Sequence, residues 1–186
     1  MKKRCFWVSN DPLYIEYHDQ EWGVPTFDDV VLFEFLILET FQAGLSWITI
    51  LKKRENFRKA FDNFDYQKIA NYSEEKYEEL LQDAGIIRNK LKIRSAITNA
   101  KLFIEVQKEF GSFSNFFWNY TNGKPITNVF DKREDVPATT KLSDKISKDL
   151  KKRGFKFIGS TVIYAYMQSM GMVNDHTTDC FRYKEM

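Results

Sequence analysis

Every cysteine and histidine in the chain lies in one of two terminal clusters, Cys5 with His18 and His176 with Cys180, and none occurs between them. Two thiolates and two imidazoles make a tetrahedral zinc set. His176 and Cys180, four residues apart near a helix end, can face one ion together. The spacing from Cys5 to His18 is too long for a zinc-finger loop. One metal shared by all four would clip the terminal segments, about 1–25 and 158–186, and force the chain to close on itself. The other readings are two buried small thiols with surface imidazoles, or a Cys5–Cys180 disulfide. No signal-like stretch precedes Cys5, which disfavours the disulfide. The complete segregation of the four residues favours the metal.

Between the clusters, helical periodicity dominates and strand alternation is nearly absent. Asp11 and Pro12 predict a short helix through Gln20, with Asp11 as its N-cap. Asp28 or Asp29 opens a long helix carrying Val31, Phe35, Leu38 and Phe41, stopped at Gly44. Ser46 caps a helix from Trp47 to about Phe61, buried through Ile50, Leu51 and Phe57. Asp65 and Ser73 cap two shorter helices. Another helix runs from about Arg88 to Phe110, with Leu91, Ile93, Ile97 and Phe103 on apolar faces. Ser112 starts a short aromatic helix ending at Asn122-Gly123. The stretch 124–140 reads as a long loop. Ser143 caps a helix carrying Ile146 and Leu150, and a last apolar helix spans about Ile158 to Met170. The expected fold is all-α, a single unit without internal repeats.

At 186 residues the chain is long enough for a substantial core. The most apolar run, Val30 to Leu38, is broken by Glu34, so no membrane span is expected and the protein reads as soluble and cytoplasmic. Aromatic residues make up 16%, more than packing alone usually requires. The net charge of +2 says little about partners. Its distribution says more: basic clusters occur at Lys2-Lys3-Arg4, Lys52-Lys53-Arg54, Arg88 to Arg94, and Lys151 to Lys156. Together they suggest one basic face for phosphate contacts, against the alternative of separately solvated helix faces.

Two segments carry candidate chemistry. In the first, residues 80–88, a Gly85 turn joins two helices. Backbone N–H groups at such a turn, with the next helix's N-terminus, bind a phosphate without reading sequence. Ile87 stands where hairpins of this kind in DNA repair proteins carry a second glycine, and an ordinary glycine helix stop also fits. The second segment, Glu39 to Trp47, places a carboxylate near the end of an apolar helix and a tryptophan beyond the break. A carboxylate there is costly unless something binds it. Carboxylate and aromatic wall together suit a pocket for an extruded purine; the alternative is a solvated Glu39 and a core Trp47. Trp7, Tyr14, Tyr17 and Trp22 crowd around His18.

Several blocks together strongly resemble the 3-methyladenine DNA glycosylase I family. They include Arg4 to Trp7, Asp11 to Ile15, Tyr17-His18-Asp19, Glu21 to Pro25, Gln42 to Trp47, Leu51 to Asn56, Asp83 to Arg88, Leu150 to Phe157 and Val173 to His176. The resemblance covers essentially the whole chain. It implies a helix-hairpin-helix glycosylase fold, with the hairpin at about 74–110 and one structural zinc ion held by Cys5, His18, His176 and Cys180. It implies that Glu39 accepts hydrogen bonds from the methylated base, that Tyr17 meets the base edge, and that Trp47 stacks on it. Trp7, Tyr14 and Trp22 would line the pocket. Gln42, Gly44 and Leu45 match the segment that fills the gap left by the flipped nucleotide, and Gly85, Arg88 and Lys90 would meet the DNA backbone. Departures are Phe6 beside Cys5, and Thr40-Phe41 between Glu39 and Gln42.

The implied activity is excision of 3-methyladenine from alkylated duplex DNA by a monomeric enzyme, releasing the free base. Methylation at N3 makes the adenine cationic and already a good leaving group, so holding it and stabilising the sugar cation should suffice. The segment 96–112 offers only Glu105 and Glu109, and no lysine is placed for Schiff-base chemistry, which points to a monofunctional hydrolase. Two rival readings are a damage reader without hydrolysis and a helical protein whose metal and aromatics serve stability alone.

Overall fold

Short polar caps set the helix starts. The computed structural model describes residues 2–186, among which nine α-helices form. Asp11 accepts from the Leu13 N–H at the head of α1 (Pro12–Gln20). Asp28 accepts from the Val30 and Val31 N–H groups at the head of α2 (Asp29–Gln42). α3 (Trp47–Ala60) follows Ser46, whose hydroxyl meets Thr49 Oγ1 rather than a backbone N–H. Asp65 and Ser73 cap α4 (Tyr66–Ala70) and α5 (Glu74–Gln82) through their side chains. Each cap satisfies an N–H that has no acceptor within its own helix.

The later helices shift slightly from expectation. α6 (Lys90–Phe110) begins two residues after Arg88, because Asn89 takes the N-cap and accepts from the Lys92 N–H. Leu91, expected on an apolar face, is 70% exposed, since the buried stripe of α6 starts at Lys92 and Ile93. α7 (Phe113–Asn119) follows Ser112 as expected. α8 (Lys141–Arg153) is capped by Thr140, not Ser143. Ser143 is the reciprocal partner three residues on, so the two side chains close a capping box. α9 (Ser160–Ser169) is the last helix.

The 124–140 segment is more ordered than a plain loop. It contains a two-residue strand, β1 (Ile126–Thr127), paired in parallel with β2 (Val173–Asn174), and a 3-10 turn at Arg133–Asp135. This pairing straps the segment to the chain end that carries His176. Just before β2, a Cβ on Gly171 (φ +70°) would fall 2.4 Å from the Pro25 nitrogen, so only glycine lets this turn press on the 23–25 strand of chain.

α2 is the central helix, buried from Leu32 to Phe41 and flanked by α3, α6, α7 and α9. Much of the aromatic excess is core. Phe41, Phe57, Phe61 and Phe64 pack in one chain of rings, and Phe33, Phe103, Phe113 and Phe117 in another. The C-terminal carbonyls of α2 have a partner the sequence did not advertise. Lys92 is buried, and its Nζ donates to Phe41 O (2.8 Å) and Ala43 O (2.7 Å). A cation there satisfies the orphan carbonyls and the helix dipole together. No helix among the described residues is long and apolar enough to cross a membrane.

Candidate functional site

α2 brings Glu39 into the interior in its last turn, where the side chain is only 4% exposed. Among the described residues it has one partner, the Ser169 hydroxyl, which donates at 3.3 Å. Burial pushes the Glu39 pKa up to about 8, with the Ser169 bond acting the other way. The free protein therefore holds Glu39 protonated at neutral pH, not ionised. A single long hydrogen bond does not replace the lost hydration of a carboxylate.

Glu39 opens onto a cavity of about 290 Å3. Trp7, Tyr14, Tyr17, Trp22 and Trp47 all line it, as does Gln42. The rings form one connected wall: Trp7 lies 5.0 Å from Tyr14 and 4.9 Å from Trp22, and Tyr17 lies 5.7 Å from Trp47. Phe35 backs this wall, 6.3 Å from Tyr17 and 6.2 Å from Trp47. Two buried donors of this wall have no partner among the described residues, the Tyr17 hydroxyl and the Trp47 indole Nε1–H. Leaving such groups without a partner costs about 1–3 kcal/mol each, a cost that a ligand with acceptors at its edge removes. Burial, then the proximity of Glu39, raises the Tyr17 pKa well above the ordinary phenol value, so Tyr17 stays a neutral donor.

Gln42, the last residue of α2, lines the cavity and ties down the loop that follows. Gln42 Nε2 donates to Leu45 O (2.6 Å), and the Leu45 N–H donates back to Gln42 O (2.7 Å). Gly44 takes φ +81° at the exposed tip, with nothing near its missing Cβ.

Behind the aromatic wall, Cys5, His18, His176 and Cys180 meet, all buried, with one donor atom from each within 4.8 Å of the others. Cys180 Sγ lies 3.4 Å from His18 Nε2 and 3.6 Å from His176 Nδ1, and Cys5 Sγ lies 3.4 Å from His176 Nδ1. The outer ring nitrogens are engaged elsewhere. His18 Nδ1 meets Asp19 Oδ1 at 2.8 Å, and His176 Nε2 donates to Trp22 O at 3.2 Å. Those partners leave a lone pair on each inward nitrogen, the tautomers a metal requires. The contact with Cys5 pulls the Cys180 thiol pKa down, while the Cys180 contact and then burial push that of Cys5 up. Gly23 is required beside this cluster, because a Cβ there would meet His176 Nε2 at 2.9 Å. The four donors suit a divalent metal in number, type and orientation.

The candidate DNA-contact hairpin is α5, residues 83–89 and α6. Its glycine differs from expectation: the Gly85 N–H donates to Asp83 Oδ1 at 2.7 Å and is not free. A Cβ on Gly85 would lie 3.2 Å from Asn56 in α3, and Asn56 Nδ2 and Lys53 Nζ both donate to Gly85 O. Gly85 thus seats the hairpin on α3. The N–H groups of Ile87, Arg88, Lys90 and Leu91 have no acceptor among the described residues, and the Arg88 and Lys90 side chains are exposed. The continuous basic face is thinned by internal pairing. Arg4 binds Asp19, Arg54 binds Glu21 and Glu34, Arg94 binds Glu74, and Arg153 binds Glu109.

A model of the methyladenine glycosylase family matches residues 7–183. The chain belongs to that family. DNA-3-methyladenine glycosylase 1 of Escherichia coli (strain K12) is 50% identical over 181 residues, 97% of each chain. DNA-3-methyladenine glycosylase of Haemophilus influenzae (strain ATCC 51907 / DSM 11121 / KW20 / Rd) is 49% identical over 180 residues, again 97% of each. A crystal structure of 3-methyladenine DNA glycosylase I superimposes with a TM-score of 0.94 at 51% identity, covering 96% of this chain and 98% of the other. The Staphylococcus aureus enzyme, whose structure describes recognition of 3-methyladenine, gives 0.93 at 35% identity, covering 96% and 95%.

Within this family member, several cavity residues carried no role in the sequence reading. Phe6 and the 136–138 segment form part of the rim, and Tyr164 and Gln168 of α9 approach with Asp175 from another side. Asp175 accepts from Tyr164 Oη, from Gln168 Nε2 (2.9 Å) and from Asn128 Nδ2 (2.7 Å). Only the adjacency of Asp175 to His176 hinted at a place near the site.

Proposed function

We propose that this protein excises 3-methyladenine from alkylated duplex DNA in base-excision repair, hydrolysing the N-glycosidic bond and leaving an abasic site. The observation that carries this reading is the aromatic cavity holding a buried, weakly bonded Glu39 beside the Tyr17 hydroxyl and Trp47 indole N–H, which have no partner among the described residues. A flat, cationic purine can engage all three residues. Its ring stacks on Trp47, its exocyclic amine donates to Glu39, and its edge nitrogen accepts from Tyr17.

The chemistry follows from charge. In DNA the methylated base carries a positive charge, and cleavage of the bond to C1′ sends the electron pair to the base, which departs neutral. The sugar briefly carries the charge until water adds at C1′ and releases a proton. Glu39 gains most from the charged base, so it favours the lesion over neutral adenine. Among the described residues no lysine lines the cavity, and buried Lys92 is occupied by the α2 carbonyls, in keeping with hydrolysis by water alone. The direct test is to incubate the protein with methylated duplex DNA and identify the released bases; 3-methyladenine should dominate, and its absence would defeat the assignment.

Cys5, His18, His176 and Cys180 are proposed to hold one structural zinc, closed to solvent, in a single unit spanning residues 1–186. The metal supplies a cross-link between the termini and no chemistry at the base. The α5–α6 element is proposed as a helix-hairpin-helix contact to the DNA backbone, and the working form as a cytoplasmic monomer acting on the nucleoid. Gln42, Gly44 and Leu45 are proposed to occupy the space vacated by the flipped nucleotide.

Two outcomes separate these roles. Trp47→Ala should raise the Kd for free 3-methyladenine about tenfold, on the scale of one base–aromatic stack, as read by fluorescence titration; unchanged affinity would remove Trp47 as the stacking face. Gly85→Val should weaken duplex binding while sparing free-base affinity, because the added side chain collides with Asp83 and Asn56 and tilts the hairpin away from α3. Duplex affinity should also fall steeply with salt in both proteins. Equal loss of duplex and free-base binding in the variant would assign Gly85 to the fold rather than to DNA.

A further inference from the structure

Phe6 is a large apolar side chain left 47% exposed, yet it lines the base cavity. Single exposed hydrophobic residues need no explanation. An exposed aromatic ring on the rim of an aromatic cavity is different, because any planar occupant adds to its burial. Phe6 lies between the buried donor Cys5 and the wall residue Trp7, so its backbone is anchored on both sides. Its ring also has a partner from a distant segment: the Arg133 guanidinium sits 5.9 Å from the ring centroid. Arg133 makes no ion pair among the described residues, and its 3-10 turn leads directly into Val136, Pro137 and Ala138, which line the same cavity.

We infer that Phe6 is a specificity-determining residue, the outer jaw of the base pocket, closing over the extruded base while Arg133 holds the ring in place. This rests on the base-binding reading above. The 124–140 strap is fixed to the chain end by the β1–β2 pairing, so the rim consists of two anchored segments joined by one cation–π contact. Arg133 itself is not among the residues that line the cavity. Arg133 is a positioning residue in this arrangement and touches no substrate.

The test measures free 3-methyladenine affinity by tryptophan fluorescence and steady-state excision from methylated duplex DNA, on the full chain with its metal. Phe6→Ala should raise the Kd for the free base about tenfold and place its loss of excision in KM rather than kcat. Phe6→Tyr should restore affinity, whereas Phe6→Leu, apolar but without a π face, should not. Arg133→Ala should give a smaller loss of the same kind, partly rescued by Arg133→Lys. Because Phe6 is half exposed, the melting temperature should stay near the wild-type value. An unchanged free-base Kd in Phe6→Ala, with or without weaker duplex binding, overturns the jaw. Affinity lost in proportion to a lowered melting temperature overturns it as well. If the wild-type protein neither binds nor releases 3-methyladenine, the base-binding reading fails first; if the wild type is active and Phe6→Ala matches it, the jaw alone fails.

Discussion

Glu39→Gln lowers excision of 3-methyladenine by roughly tenfold or more, the scale of one lost charge-assisted hydrogen bond. The amide can still accept through its oxygen but cannot carry the charge that a cationic base calls for. In the free protein Glu39 is protonated up to a pKa of about 8 because of its burial. Entry of a cationic base favours the carboxylate, pulls that pKa down and expels the proton to solvent. The kcat/KM of the wild type should therefore rise with pH and level off above about 8, since this ratio reports ionisations of the free enzyme. The Glu39→Gln profile should lack that rise.

Stability should respond with the opposite sign. The folded-state pKa of about 8 lies above the ordinary carboxylate value of 4.5. The contribution of a buried neutral Glu39 is thus full below 4.5 and lost as pH rises through 8. The loss amounts to roughly 5 kcal/mol over that window. Glu39→Gln removes it, so the ligand-free variant should melt above the wild type at pH 8 to 9 while excising less. Thermal melts and excision rates across the pH range check both signs. Full activity in a folded Glu39→Gln protein with its zinc in place would remove Glu39 from the mechanism and leave the aromatic wall alone.

Removing the metal should destabilise the fold at every pH. Chelation, or Cys180→Ser, leaves buried His18 Nε2, His176 Nδ1 and Cys5 Sγ facing one another without the ion that satisfies them. A loss of a few kcal/mol, the cost of breaking a structural metal site, lowers Tm by about 10 °C in a chain of this size. The termini should loosen first, where the remaining ties include the Phe181 N–H to Lys3 O (2.9 Å), the Lys3–Asp179 ion pair, the Lys2 and Arg4 cations over the Phe181 ring and the His176 Nε2–Trp22 O bond. Below the new Tm the cavity should persist, because Trp47, Tyr17 and Glu39 pack against α2 rather than on the cluster. Elemental analysis should find one zinc per chain in the wild type, and its consistent absence from carefully purified protein would refute the site.

The arrangement around Glu39 explains why these two effects are separable. Neighbours in sequence serve different sites: Cys5 joins the four-donor cluster while Phe6 and Trp7 line the cavity, and Tyr17 lines the cavity while His18 joins the cluster. The same alternation places Asp175 on the cavity and His176 on the cluster. The four-donor cluster thus lies behind the wall, apart from the cavity.

What the sequence determined by itself is local or unique. Asp11, Asp28, Asp65 and Ser73 are legible as caps because each acts on N–H groups two or three residues away. The four metal-type donors stood out because the chain holds no other cysteine or histidine. Glu39 and its aromatic companions were marked by chemistry unusual for their surroundings. Tertiary structure alone decided what depends on distant partners. Lys92 reads as part of a basic cluster but is buried against α2 carbonyls some fifty residues away in the chain (|i−j| of 51 and 49). Leu91 follows the apolar pattern of α6 yet projects into solvent, because the first turn of α6 buries its Lys92 and Ile93 side instead. Gly85 spends its N–H on Asp83 and its carbonyl on α3. The protonation of Glu39 follows from its burial, which the single long bond from Ser169 of α9 does not offset. Residue type and spacing fix which chemistry a side chain can offer; desolvation and long-range packing fix its charge state and its partners.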